Sequence, residues 1–95
     1  MLFDFRGEVI YWRGPSPFHF VEVPEDPSAA IEAVAPMVTY GWGAIPVRVS
    51  IGETEFRTSL FPKDERYLVP IKVAVRHAEG IELGDEITVV LHVDL

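Results

Sequence analysis

The chain has 95 residues, enough for one domain, residues 1–95, built around a single hydrophobic core. Eight Lys and Arg residues against 15 Asp and Glu residues give a formal net charge of −7, which disfavours contact with nucleic-acid backbones. Cysteine is absent, so disulfides, thiolate nucleophiles and thiolate metal sites are excluded. The N-terminus has no signal-peptide pattern. No stretch of the chain approaches the length of a membrane helix, which needs about 20 consecutive apolar residues. We therefore expect a soluble, cytoplasmic protein that does not contact membranes.

Two strands are predicted at the start of the chain. Residues 2–12 alternate between apolar and polar side chains, the period-two pattern of a half-buried strand. Gly7 falls on the apolar face, which indicates a bulge or a close crossing of two backbones. Residues 18–23 are rich in aromatic and β-branched side chains and predict a second, shorter strand.

A helix is predicted next. Asp26 can cap its free amides, and Pro27 suits its first position. Pro36 cannot lie deep inside a helix because it lacks an amide donor. We therefore expect the helix to end near Ala35.

A β-hairpin follows, in which residues 45–51 and the return strand alternate around a two-residue turn at 52–53. This register places Arg48 opposite Arg57. Like charges that face each other across strands are destabilising. Either the register differs, or a carboxylate or a bound anion lies between the two guanidinium groups, and Glu55 is the nearest local candidate.

The last third of the chain predicts a charged turn at 62–66 and a short strand at 67–69. A second helix is predicted to open at Pro70 and to stop at Gly80, a favourable C-terminal residue. Residues 87–95 alternate again and predict a long final strand.

About six short strands and two short helices predict a mostly β (α+β) domain. Twisted antiparallel strands usually close into a barrel, since closure removes exposed strand edges. The expected fold is therefore a small closed antiparallel β-barrel capped by helices.

The segments WRGPSPFHFVEV, YGWGAIPVRVSIGETEFRTSLFPKDERYLVPIKVAVRHAEG and LGDEITVVLHV, in this order, resemble the domain of unknown function 1905 (DUF1905) family of small bacterial β-barrel proteins. The resemblance implies a barrel of the double-split type, similar to the swapped-hairpin fold of transition-state regulators and antitoxins, many of which bind DNA. Those related barrels are built from two chains, so monomer and homodimer both stay open. The family name implies no established activity.

An anion site is one hypothesis for the predicted helix start at Pro70. No side chain immediately before it can cap the free amides, and helix N-termini attract anions. Lys72 and Arg76 lie one turn apart on the same side, and Lys63 approaches from the preceding turn. The alternative is that these cations pair with acidic residues on a solvated face.

A small-ligand pocket is a second hypothesis. Arg13 and His19 can line a pocket whose floor is formed by Trp12 and Trp42, because apolar walls with a few polar groups are typical of ligand sites. The alternative is that these rings fill the barrel core. The full predicted anion-binding set is Lys63, Lys72, Arg76, Arg13, His19 and Trp42.

No catalytic residue, metal site or cofactor is predicted. The three histidines, at positions 19, 77 and 92, fall in separate elements without ligand spacing. The leading interpretation is a non-enzymatic accessory module that binds a partner protein or a small anionic ligand. The alternatives are a nucleic-acid-linked regulator, by fold analogy alone, and a small enzyme with an Arg/His/Lys-lined pocket.

Overall fold

The fold is a closed barrel of six antiparallel strands with two helices. A computed structural model of the chain describes residues 1–13, 18–38 and 43–94. The strands neighbour one another in the order β1-β2-β5-β4-β3-β6, and the barrel closes because β1 pairs with both β2 and β6. The predicted closed antiparallel β-barrel is confirmed, and the double-split subtype stays a prediction. The elements in chain order are β1 (Leu2–Tyr11), β2 (His19–Glu22), α1 (Glu25–Val38), β3 (Ile45–Ile51), β4 (Thr54–Lys63), β5 (Arg66–Pro70), α2 (Val73–Glu79) and β6 (Glu86–Val93).

The core fills the barrel interior with the inward-facing half of each strand. Val9, Val21 and Leu91, from three different strands, are each at most 1% exposed. Gly7 shares the inward side of β1, where a Cβ atom would lie 2.6 Å from Cγ1 of Val21. Gly7 therefore marks the close crossing that its position in the strand indicated.

Helix α1 is longer than predicted, because it continues through Pro36 to Val38 instead of ending near Ala35. Pro36 lies in the last turn, where its missing amide costs one backbone hydrogen bond and the helix is about to end. The helix packs on the barrel through the fully buried Ile31. Neither helix in the described part of the chain is long and apolar enough to cross a membrane.

The buried side chain of Ser28 joins α1 to the sheet. Ser28 is 1% exposed, and its hydroxyl donates to the carbonyl of Val23 at 3.0 Å. The same oxygen accepts from the amide of Tyr67 on β5 at 3.3 Å. This arrangement fixes the first turns of α1 against the β4–β5 side of the barrel.

The β3–β4 and β4–β5 turns differ in how well the sequence predicted them. The β3–β4 turn is confirmed, with Ile51 paired to Thr54 and a positive φ of 58° at Gly52. The predicted turn at 62–66 is too long, because β4 runs to Lys63 and only two residues form the turn to β5. Both turn residues, Asp64 and Glu65, have positive φ, a conformation that aspartate adopts more readily than most residues and that glutamate seldom adopts.

The start of α2 corrects a second prediction. Pro70 is the last residue of β5 and pairs with Phe20, so the helix does not open there. Lys72 is the N-cap, and its side chain makes no capping hydrogen bond. The helix ends as predicted at Gly80, which has φ 64° and ψ 37°.

Candidate functional site

Two arginines face each other on the outside of the barrel wall. Arg48 on β3 pairs in register with Arg57 on β4, which confirms the predicted register. Both point outward, because Val47 and Val49, on either side of Arg48, are buried in the core. The electrostatic cost of this pairing must be offset by a neighbouring negative group.

The negative group is the carboxylate of Asp94, the residue directly after β6. Arg48 Nη2 lies 3.5 Å from Oδ1 of Asp94 and also contacts Nδ1 of His92, the residue paired with Arg48 across β3 and β6. The sequence-based candidate, Glu55, is instead paired with Ser50. The carboxylate could not be placed from sequence, because β6 pairs with β3 only when the barrel closes.

Arg57 has no such partner. Its side chain is exposed, and its guanidinium forms no ion pair or hydrogen bond with any residue that the structure describes. Beside it lies a depression of ≈ 270 Å³. We call Arg48, Arg57, His92, Asp94 and this depression the arginine site. The depression is lined by Pro46, Val47, Arg57, Thr58, Ser59 and Asp94.

The structure separates Lys63 from Lys72. The Nζ atom of Lys63 lies 2.7 Å from Oδ2 of Asp64 and 5.6 Å from the centre of the Trp12 ring. The Nζ atom of Lys72 donates to the carbonyl of Arg57 at 2.7 Å. Positions 57 and 63 are six residues apart along β4, about 20 Å at the usual rise. Lys63 therefore does not join Lys72, and Lys72 lies beside the arginine site instead.

Arg76 remains one helical turn from Lys72, as predicted. Its backbone amide donates to the carbonyl of Lys72 at 3.0 Å. Its Nε atom is buried and has no hydrogen-bond partner in the described part of the chain. An anion-binding role for Lys72 and Arg76 stays a prediction, although the helix start on which it was argued lies three residues later than expected.

Arg13 and His19, two more of the predicted site residues, lie at the β1–β2 end of the barrel. Arg13 is exposed just after β1, and His19 begins β2. The Trp12 ring packs against the ring of Phe20 with centroids 5.5 Å apart. Trp42 lies outside the described residues, so the pocket between the two tryptophans stays a prediction.

The sequence predicted that the like charges of Arg48 and Arg57 face each other, but it did not identify them as a binding site. It also did not predict that His92 and Asp94 lie beside Arg48. The available signal was weak: His92 lies on the outward side of the last strand, and Asp94 follows two residues later, directly after the strand ends. Among the described residues, no group of three or more His, Asp or Glu side chains could hold a metal ion.

A comparison with known protein families finds one match over most of the chain. The model of a family described as "Domain of unknown function (DUF1905)" matches residues 5–91. No curated protein matches the chain.

Proposed function

The chain belongs to the DUF1905 family, whose description assigns no activity, and we propose that its barrel is a non-enzymatic binding module for a carboxylate. The carboxylate is carried by a small ligand or by an acidic side chain of a partner protein. The observation that carries the proposal is the exposed Arg57, which faces Arg48 and has no negative partner in the described structure.

The chemistry of the pair supports this choice of ligand. A guanidinium group presents a planar fork of N–H donors that matches the two oxygens of a carboxylate. Asp94 already engages Arg48, so the free donors belong to Arg57. A carboxylate bound in the depression relieves the repulsion between the two arginines, which gives it an electrostatic advantage over a neutral ligand.

The distribution of charge supports a small or protein-borne carboxylate over a nucleic acid. Arg48, Arg57 and Asp94 sum to +1, and the ammonium group of Lys72 is held at the carbonyl of Arg57. The whole chain carries −7, which repels an extended polyanion but leaves a local attraction for one small anion.

The experiment is an amide NMR titration of the full chain with succinate and, separately, with N-acetylglutamate methylamide. Saturable shifts are expected at residues 46–48 and 57–59. Arg57→Gln weakens binding about ten-fold, the equivalent of ~1.4 kcal/mol. Arg6→Gln is the matched control, because Arg6 is another exposed wall arginine and is already paired with Glu86 at 3.0 Å.

Two results contradict the proposal. One is the absence of saturable shifts at residues 46–48 and 57–59 with either probe. The other is an equal loss of affinity in Arg57→Gln and Arg6→Gln, which would assign the response to net charge alone. Binding of the glutamate derivative but not of succinate supports a protein-borne carboxylate.

A further inference from the structure

A second concave surface lies between α1 and the β4–β5 turn, at the end of β4 far from Arg57. It encloses ≈ 500 Å³ and continues into a smaller recess of ≈ 130 Å³. Glu32, Glu65 and Arg66 line both parts. The larger part is completed by Glu25, Ala29 and Asp64, and the recess by Pro62 and Tyr67.

Most of the charges at the outer part of this surface are already paired. Arg66 holds Glu22 at 3.0 Å through Nη1 and Glu25 at 3.5 Å through Nη2. Asp64 accepts from Lys63 at 2.7 Å. These pairs leave no spare positive charge for the inner part.

The carboxylates of the recess are unpaired. Glu32 on α1 and Glu65 in the turn form no ion pair or hydrogen bond with any other residue in the described ranges. Glu65 also has φ 65°, where glycine or asparagine would be the unstrained choice, so its carboxylate is placed there at a conformational cost.

Tyr67 supplies a second and independent indication of a ligand. Its side chain lines the recess and is only 6% exposed, yet its hydroxyl has no hydrogen-bond partner among the residues that the structure describes. The buried side-chain atom without a partner in the described residues is Nε of Arg76, so the Tyr67 hydroxyl oxygen is not sealed in the core but opens onto the recess, where it can accept a hydrogen bond. Burial raises the pKa of Tyr67, and the nearby carboxylate of Glu32 raises the pKa further, so the hydroxyl stays neutral.

We propose that the recess formed by Glu32, Glu65 and Tyr67 binds a primary ammonium group carried on an aliphatic chain. An ammonium has three N–H donors, and the recess offers two carboxylates and one phenolic oxygen as acceptors. Pro62 and the Tyr67 ring provide an apolar wall for the methylene groups next to the nitrogen.

The ammonium has two possible sources, a free polyamine or a lysine side chain of another protein. The test is an NMR titration of the full chain with butylammonium, spermidine and N-acetyl-lysine methylamide. Saturable shifts are expected around residues 29–32 and 64–67 with all three probes. Spermidine binding at least about ten-fold tighter than the lysine derivative assigns a free polyamine, and comparable affinities assign a lysine side chain.

Variants make the assignment specific. Glu32→Gln and Glu65→Gln each weaken butylammonium binding roughly two- to five-fold, the range for exposed ion pairs. Glu53→Gln is the matched control, because it removes the same charge from an exposed β3–β4 turn residue and leaves the affinity unchanged. Tyr67→Phe keeps the ring, removes the acceptor oxygen and lowers the affinity by a similar factor.

The proposal is overturned if butylammonium produces no saturable shifts at residues 29–32 and 64–67. It is also overturned if Glu53→Gln weakens binding as much as Glu32→Gln and Glu65→Gln do. Both glutamates are exposed, so their variants keep the test decisive even if Tyr67→Phe fails to fold. The outcome is independent of carboxylate binding at Arg57.

Discussion

Replacing Gly7 with alanine tests how β1 closes the barrel. The new Cβ atom would lie 2.6 Å from Cγ1 of Val21, a contact that real Cβ atoms essentially never make. Val21 is 0% exposed and has a stiff β-branched side chain, so it cannot turn away without disturbing the core. Overpacking of this kind destabilises the folded state by about 1–3 kcal/mol. Alanine also lowers the conformational entropy of the unfolded chain, which stabilises the folded state by about 0.4–1 kcal/mol. We expect a net loss of about 1–2 kcal/mol.

A double-mutant cycle isolates the cause of that loss. Val21→Ala alone costs roughly 2 kcal/mol through lost burial and the cavity that it leaves. In the Val21→Ala background, Gly7→Ala should not lower the free energy of unfolding, because Cγ1 of Val21, the atom that the new Cβ would contact, is absent. Urea denaturation of the four proteins gives the free energies of unfolding. If the two single costs add to within ~0.5 kcal/mol in the double variant, the close crossing is not what requires glycine at this position.

Two further predictions concern the packing of α1 on β5. Ser28→Ala removes the acceptor of the buried Tyr67 amide and the donor to Val23, so we expect a loss of about 1–3 kcal/mol in urea denaturation, and an unchanged midpoint would contradict the role of Ser28. Burial raises the pKa of Tyr67 above its ordinary 10.0, and the nearby carboxylate of Glu32 raises this pKa further. The neutral hydroxyl therefore contributes stability below pH 10, and this contribution is lost as the pH rises through the pKa of the folded state. Tyr67→Phe should flatten this alkaline decline between about pH 9 and about pH 11, and Tyr11→Phe, at an exposed tyrosine, should leave it unchanged. A decline that is equally steep in Tyr67→Phe would refute the assignment.

Local patterns predicted most of the barrel. Period-two alternation located the strands. Gly52 specified the position of the β3–β4 turn, and the register that follows from this turn places Arg48 opposite Arg57. These features depend on neighbours in sequence, so a single chain contains the information. The same applies to the end of α2 at Gly80, where a left-handed residue stops the helix.

The errors concern the ends of three elements. Pro36 was expected to end α1, but a proline in the last turn loses only one hydrogen bond. The turn between β4 and β5 is shorter than the predicted 62–66, because Asp64 and Glu65 both adopt positive φ and reverse the chain within two residues; glutamate seldom adopts this conformation. Pro70 has the sequence context of a helix start, but its pairing with Phe20, 50 residues earlier in the chain, keeps it in β5.

The candidate sites were the least predictable feature, because contacts between segments distant in sequence create both. Asp94 reaches Arg48 only through the pairing of β3 with β6. Glu32 and Tyr67 meet only because α1 packs against β5. The sequence identifies these charged residues, but their proximity on one surface depends on tertiary contacts.

The most direct test of carboxylate binding observes the guanidinium group of Arg57 itself. The Nε–Hε NMR signal of Arg57 is followed as succinate is added to the full chain, with the signal of Arg6 as the internal reference. The account predicts a saturable downfield shift of the Arg57 signal, because the carboxylate accepts hydrogen bonds from the unpaired guanidinium of Arg57. The Arg6 signal should not shift, because Arg6 is already paired with Glu86. An Arg57 signal that does not move, or that moves in parallel with that of Arg6, would contradict it.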